Sequence, residues 1–165
     1  MNIELKLFTD ERDIACLLIK EFWKEHNDYE QSSEESNSNL KEWTKEGHKF
    51  YLIKLENQFV GFVHLGNRGV EIDWLEDIFV LPKYQGNGIG RKAISLVENI
   101  VRQYSDSLYI EAAAQNINAI RLYHRIGYDR LNTITVRKDF CPDKYEIISN
   151  ESIHDLDFCI KKIKE

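Results

Sequence analysis

The stretch whose reading decides the fold is Trp74 to Val101, "WLEDIFVLPKYQGNGIGRKAISLVENIV". It opens on an apolar run carrying Glu76 and Asp77, turns at Pro82, and passes Gly86, Gly88 and Gly90 before becoming helical in pattern. Over 88–103, Ile89, Ala93, Ile94, Val97, Ile100 and Val101 recur at helix spacing and predict one buried face. The chain holds only 8 glycines in 165 residues, so three at alternate positions ahead of a helix need a reason. Glycine lets a backbone approach a ligand closely with its N–H groups turned outward. The unpaired N–H groups of the helix's first turn add partial positive charge. Together they make a place for a phosphate or pyrophosphate, although the same glycines also serve tight turns.

Upstream, "IELKLF" (3–8) alternates like a strand, and Ile14, Leu17, Leu18 and Phe22 predict a helix with Asp10 as N-cap. The polar "HNDYEQSSEESNSN" (26–39) reads as a loop or the start of a second helix, whose thin apolar face is Leu40 and Trp43 and which Gly47 ends. "KFYLIKL" (49–55) and "FVGFVHL" (59–65) flank "ENQ" as a hairpin, and 70–81 adds a third strand, making an antiparallel meander. Downstream, "SLYIEAA" (107–113) is a short strand, so the strand–helix–strand unit that it closes is a right-handed parallel crossover. "NAIRLYHRIG" (118–127) predicts a helix stopped by Gly127, and "YDRLNTITVRK" (128–138) a strand. "LDFCIKKI" (156–163) alternates like a strand, while Ile153, Leu156, Ile160 and Ile163 would also suit a helix; the strand is the expectation. No repeat or linker divides the chain, so one domain over 1–165 is expected.

The hydrophobic fraction of 42% and the charged fraction of 30% are those of an ordinary globular chain. A net charge of −6 argues against a nucleic-acid binder and is compatible with a cationic small-molecule partner. No apolar run approaches the roughly 20 residues of a membrane span, and "MNIELKLFTDERD" lacks a secretory pattern, so a cytoplasmic protein without membrane contact is expected. Cys16, Cys141 and Cys159 suggest neither a disulfide framework nor a zinc site. His26, His48, His64, His124 and His154 are scattered, and no metal is expected.

Three nucleotide-type motifs compete for the glycines. A P-loop needs GxxxxGK[ST], which "GNGIGRK" does not supply. The dinucleotide fingerprint GxGxxG/A is nominally met by Gly88, Gly90 and Ala93, with Glu111 about 20 residues on. It belongs, however, to repeated βαβ units, and here a meander precedes a single one. The third pattern, [Q/R]xxGxG/A, is met by Gln85, Gly88 and Gly90. "DIFVLPKYQGNGIGRKAI" followed by "NINAIRLYHRIGY", with Asn116, Ala119, Tyr123, Gly127 and Tyr128 in the pattern Nxx[AS]xxxY…G[FY], resembles the GNAT superfamily of acetyl-CoA-dependent N-acetyltransferases.

That resemblance implies an α/β (α+β) fold: a mixed central sheet of six to seven strands, a meander and then a splayed parallel β-α-β unit, and about four helices. It implies acetyl-CoA as co-substrate, its pantetheine arm bonded by backbone groups of Ile78, Phe79 and Val80 and by Asn116. The pyrophosphate would rest on the amides of Gly86, Asn87, Gly88, Ile89, Gly90 and Arg91, with Gln85 bracing the loop and Tyr123 at the sulfur. An amine resembling lysine has a pKa near 10.4, so only about one molecule in a thousand is nucleophilic at pH 7.4 and a proton acceptor is needed. Period 2 puts Glu76 and Asp77 on opposite faces of their strand, which excludes a side-by-side pair. "LED" is similar to the triplet of spermidine/spermine N-acetyltransferases, which assigns Glu76 the acceptor amine and its proton and leaves Asp77 structural. Tyr123 is the implied general acid for the thiolate.

The expected acceptor is a small cationic amine, polyamine- or aminoglycoside-like, met by Glu76 and by Trp23 beside the acidic loop of Glu25, Asp28, Glu30, Glu34 and Glu35. A protein lysine or N-terminus, and a non-catalytic acyl-CoA-binding regulator, are the alternatives. Homodimers are common among similar proteins.

Overall fold

A computed structural model describes residues 2–164. They form two compact units, divided between Glu111 and Ala112.

The first unit is a five-stranded sheet in sequential order: β1 (Ile3–Leu7), β2 (His48–Leu55), β3 (Gln58–Gly66), β4 (Trp74–Val80) and β5 (Tyr109–Ile110). The first three pairings are antiparallel, and β4–β5 is parallel through Trp74↔Tyr109 and Leu75↔Ile110. Along one face of β2, β3 and β4 run Phe50, Leu52, Phe62 and Phe79, covered by Ala15, Leu18 and Ile19 of helix α1 (Arg12–Asn27) and Leu40 of helix α2 (Ser33–Trp43). Helix α3 (Ile89–Val101) packs against β1 and β4 and buries Ile89, Ala93, Ile94, Val97 and Val101. With cover on both faces, β3 stays buried from Val60 to Gly66 and shows no polar alternation. Each large apolar side chain buried this way is worth about 1.5–3 kcal/mol.

Several local details differ from expectation. Helix α1 starts one residue past the predicted Asp10: Glu11 is the N-cap residue, and its side chain turns away to accept from the Thr9 N–H and to pair with Lys6. Of the two readings of the serine-rich stretch, the start of the second helix holds, from Ser33, because Ser32 and Glu35 form a reciprocal capping box. The predicted strand 107–113 keeps a ladder only at Tyr109 and Ile110, so beyond Leu75 β4 is paired on its β3 side alone among the described residues.

The second unit contains helix α4 (Ile117–Arg125) and the hairpin β6 (Tyr145–Ile153) with β7 (Leu156–Ile163). His154 and Asp155 join the two strands with φ of 55° and 61°, the left-handed pair of a type I′ turn. β7 coincides with the expected strand 156–163. The strand predicted over 128–138 does not form: these residues carry no regular structure and take part in no ladder, and Leu131 and Val136 are exposed. Alternation supplies a face for a strand but not a partner, and the β7 ladder is taken by β6. Among the described residues there are seven strands, five in the mixed sheet and two in the hairpin.

Candidate functional site

The loop before α3 explains its glycines in two ways. Gly86 and Gly88 have φ of 75° and 78°, a conformation that costs an L side chain roughly 1–2 kcal/mol. Gly90 lies inside the helix with no such demand, and a Cβ built on it, or on the other two, meets nothing within 4 Å. The third glycine therefore leaves room in front of the helix rather than freedom in its backbone. Gly88 caps α3 without a side-chain hydrogen bond, and among the described residues the first N–H of the helix recorded with a carbonyl partner is that of Lys92, 3.0 Å from Gly88 O. Amides aimed outward, a helix dipole and an uncluttered surface fit a diphosphate, with the exposed guanidinium of Arg91 beside them. Gln85 donates from Nε2 to the Val80 carbonyl at 2.7 Å and ties this loop to the end of β4.

The open edge of β4 is the second feature. Leu81 N–H donates to Val60 O at 2.8 Å, so in this register Phe79 also turns its amide and carbonyl to β3. Of the three residues expected to offer their backbone to a cofactor arm, Ile78 and Val80 face the unpaired edge and Phe79 does not; its side chain is core.

The third feature is a pocket over β2, β3 and β4, lined by Glu42, Trp43, Lys45, His48, His64, Glu76 and Asp77. Both carboxylates of β4 line it, which corrects the expectation that alternation would keep them apart. The pairing jumps from His64↔Asp77 to Leu65↔Leu75, so Glu76 is the extra residue of a bulge and the period of two fails there. Asp77 Oδ2 lies 2.8 Å from His64 Nδ1, and His64 Nε2 lies 2.8 Å from His48 Nδ1. Arg68 holds Glu76 with two hydrogen bonds, Nε–Oε1 at 3.0 Å and Nη2–Oε2 at 2.6 Å, and also pairs with Glu111. Its guanidinium lies 4.0 Å from the centroid of the Trp74 ring, which in turn stacks on Tyr109. The two carboxylates push the Arg68 pKa up, Glu76 most of all.

The remaining candidates are placed as follows. Trp23 is half-buried against the α1–α2 core, edge-on to Phe22 at 5.7 Å, rather than on an acidic rim. In that loop Glu35 is held by its capping box and by the Tyr29 hydroxyl, and Glu30 pairs with Lys24. In the second unit Asn116 caps α4, its Oδ1 accepting from the Ala119 N–H at 3.2 Å. Tyr123 lies edge-on to Tyr128 at 6.2 Å, and burial raises the pKa of its phenol, which keeps the hydroxyl protonated at neutral pH. Sequence reasoning missed His48, His64 and Arg68. The histidines would have emerged from hairpin register, since Phe50↔His64 and His48↔Gly66 are alternate pairs of one ladder and so share a face.

A family model described as the acetyltransferase (GNAT) family matches residues 15–128. The chain belongs to the GNAT family. It is an acetyl-CoA-dependent N-acetyltransferase. A spermine/spermidine N(1)-acetyltransferase of Bacillus subtilis (strain 168) is 31% identical to this GNAT chain over 141 residues, 78% of this chain and 88% of the relative. A [ribosomal protein bS18]-alanine N-acetyltransferase of Escherichia coli (strain K12) is 33% identical over 69 residues, 41% of this chain and 45% of the relative. Two solved structures share the GNAT fold. An aminoglycoside N-acetyltransferase in complex with CoA superposes with a TM-score of 0.65 at 14% identity, covering 85% of this chain and 96% of the other. A GNAT family acetyltransferase from Elizabethkingia anophelis with acetyl-CoA bound gives 0.62 at 21% identity, covering 98% and 95%. No helix among the described residues is long and apolar enough to cross a membrane, and none of their His, Cys, Asp and Glu side chains form a group of three able to hold a metal.

Proposed function

We propose that this enzyme acetylates a small cationic amine of the polyamine or aminoglycoside kind by direct attack in a ternary complex. The observation that carries the reading is the acidic, aromatic surroundings of the β4 bulge: Glu76, Asp77 and Glu42 line one pocket, and Trp74 already carries a cation on its face. Similarity to the Bacillus spermine/spermidine enzyme over most of both chains supports it. The GNAT match runs from 15 to 128, across both units, which supports one catalytic domain.

In this reading the amides from Gly86 to Arg91 hold the diphosphate of acetyl-CoA, and the backbone groups of Ile78 with the amide of Val80, whose carbonyl Gln85 occupies, hold the arm. Bound acetyl-CoA supplies the thioester. Glu76 draws the ammonium of the acceptor, whose proton leaves through water beside this carboxylate, and the neutral nitrogen attacks. Asn116 and Tyr123 keep the roles that the family motif gives them, Asn116 toward the arm and Tyr123 as proton donor to the leaving thiolate. Replacing Tyr123 by Phe lowers kcat by about one to two orders of magnitude with acetyl-CoA binding nearly intact; single-turnover kinetics beside calorimetry checks this, and unchanged turnover removes Tyr123 from the chemistry.

The deciding test is release of free thiol from acetyl-CoA against polyamines, aminoglycosides, amino acids and basic peptides. Turnover with the first two groups is expected. Turnover with peptides alone would move the substrate to protein amines, the second reading favoured by the partial match to the alanine N-acetyltransferase. Acetyl-CoA binding without turnover on any amine would mark a non-catalytic acyl-CoA sensor.

A further inference from the structure

Two imidazoles and a carboxylate form one hydrogen-bonded line across three strands: Asp77 on β4, His64 on β3 and His48 on β2. An ionised carboxylate only accepts, so the proton of His64 sits on Nδ1, facing Asp77. Its Nε2 is then an acceptor, and the proton between the rings belongs to His48 Nδ1. That leaves His48 Nε2 with a lone pair. Packing fixes the arrangement: Trp43 stacks on His64 with ring centroids 4.9 Å apart, the His48 ring lies edge to edge with His64 with planes 19° apart, and His64 is only 3% exposed.

Both oxygens of Glu76 are already engaged by Arg68, one by Nε and the other by Nη2. His48 stands next to Glu76. A Cβ built on Gly66 lies 3.0 Å from Glu76 Oε1 and 3.3 Å from His48 Cε1, so both side chains close over the same glycine.

We propose that His48 is the terminal proton acceptor of acetyl transfer, with His64 and Asp77 as positioning residues that hold its Nε2 as a free base. The proposal rests on the amine-acetylating reading above. The substrate ammonium gives one proton, directly or through water beside Glu76, to His48 Nε2. The neutral nitrogen then forms the new C–N bond and sheds its second proton as the C–S bond breaks; the thiolate takes a proton from a separate donor, and the second proton from nitrogen replaces it there. The resulting His48 imidazolium donates at Nδ1 to His64, which still donates to Asp77, so the line supports the charged ring without rearrangement. The groups facing His48 are His64 on β3, Lys45 after α2, Glu42 on α2 and Glu76 on β4. Burial first, then His64 and Lys45, depress its pKa against the pull of Glu76 and Glu42, so the ring is neutral and able to accept at pH 7.

The test compares kcat/KM against pH for the wild type, His48→Gln, Asp77→Asn and Glu76→Gln on the best amine of the thiol-release panel. Loss of the acidic-limb ionisation in His48→Gln is expected, with kcat down about 10- to 100-fold. The same limb survives in Glu76→Gln, whose main effect is a raised KM for the amine. Asp77→Asn lowers kcat at least tenfold and moves the limb. Free imidazole restores turnover to His48→Ala, which a merely structural histidine would not allow, and acetyl-CoA calorimetry on each variant confirms the fold. An unchanged acidic limb in His48→Gln together with its loss in Glu76→Gln overturns the proposal and leaves the acetyltransferase reading standing. A wild type that releases no thiol with any amine takes both away.

Discussion

The loop from Gln85 to Arg91 and the pocket over β2–β4 are built from opposite materials. The loop presents main chain: exposed from Gln85 to Gly88, with alternating glycines and a helix start that no side chain caps. The pocket is made of side chains from three strands and a helix, locked by hydrogen bonds of 2.6–3.0 Å and stacked rings. A diphosphate offers many equivalent oxygens, so a row of amides suffices to hold it. Moving a proton needs one particular atom with one particular basicity, which calls for fixed side chains. Damage to the loop should therefore appear in cofactor affinity, and damage to the pocket in turnover and pH dependence.

The strongest way to break that contrast is Gly88→Val. A β-branched residue at φ of 78° distorts the loop, and acetyl-CoA affinity should fall by about 10- to 100-fold in calorimetry while the acidic limb of kcat/KM stays in place. A displaced limb would show that loop and pocket are not separable. Gly90→Ala is gentler and sharper. Because its backbone is helical and its Cβ meets no protein atom, the substitution should raise stability by up to about 1 kcal/mol in urea unfolding, yet weaken acetyl-CoA binding several-fold. Unaltered binding would mean that the space before α3 holds nothing.

The smallest effect tests the pocket through folding. The His48 pKa is depressed in the folded chain, so the unfolded chain binds the extra proton first as pH falls. Stability should drop as pH falls below the unfolded value of about 6.5, and be unaffected by this group above it. His48→Gln should remove that part of the drop; identical pH–stability curves would deny the depressed pKa.

The same contrast explains what could be read from the chain. The loop was legible because its constraint is local: Gly86, Gly88 and Gly90 lie within five residues, followed by the apolar face Ile89–Ala93–Ile94–Val97. The meander was legible from alternation and short turns. The pocket was not, since joining His48, His64, Asp77 and Glu76 needs the register of two strand pairs and a bulge that reverses one carboxylate. Trp23 read as a rim residue because loop charge is visible in sequence while the face an α1 residue turns inward depends on what α2 covers. β6 was missed because "YEIISNESI" is too polar to alternate, and 128–138 was read as a strand because pattern says nothing of partners.

Arg68 has one more consequence. A guanidinium already sits on Glu76 and over Trp74, so a cationic acceptor entering there trades places with a resident ion instead of filling an empty acidic well. Such a swap leaves the local charge almost constant. The KM for the amine should then respond only weakly to added salt, and removing Arg68 should turn the seat into an ordinary electrostatic trap whose grip fades steeply with ionic strength.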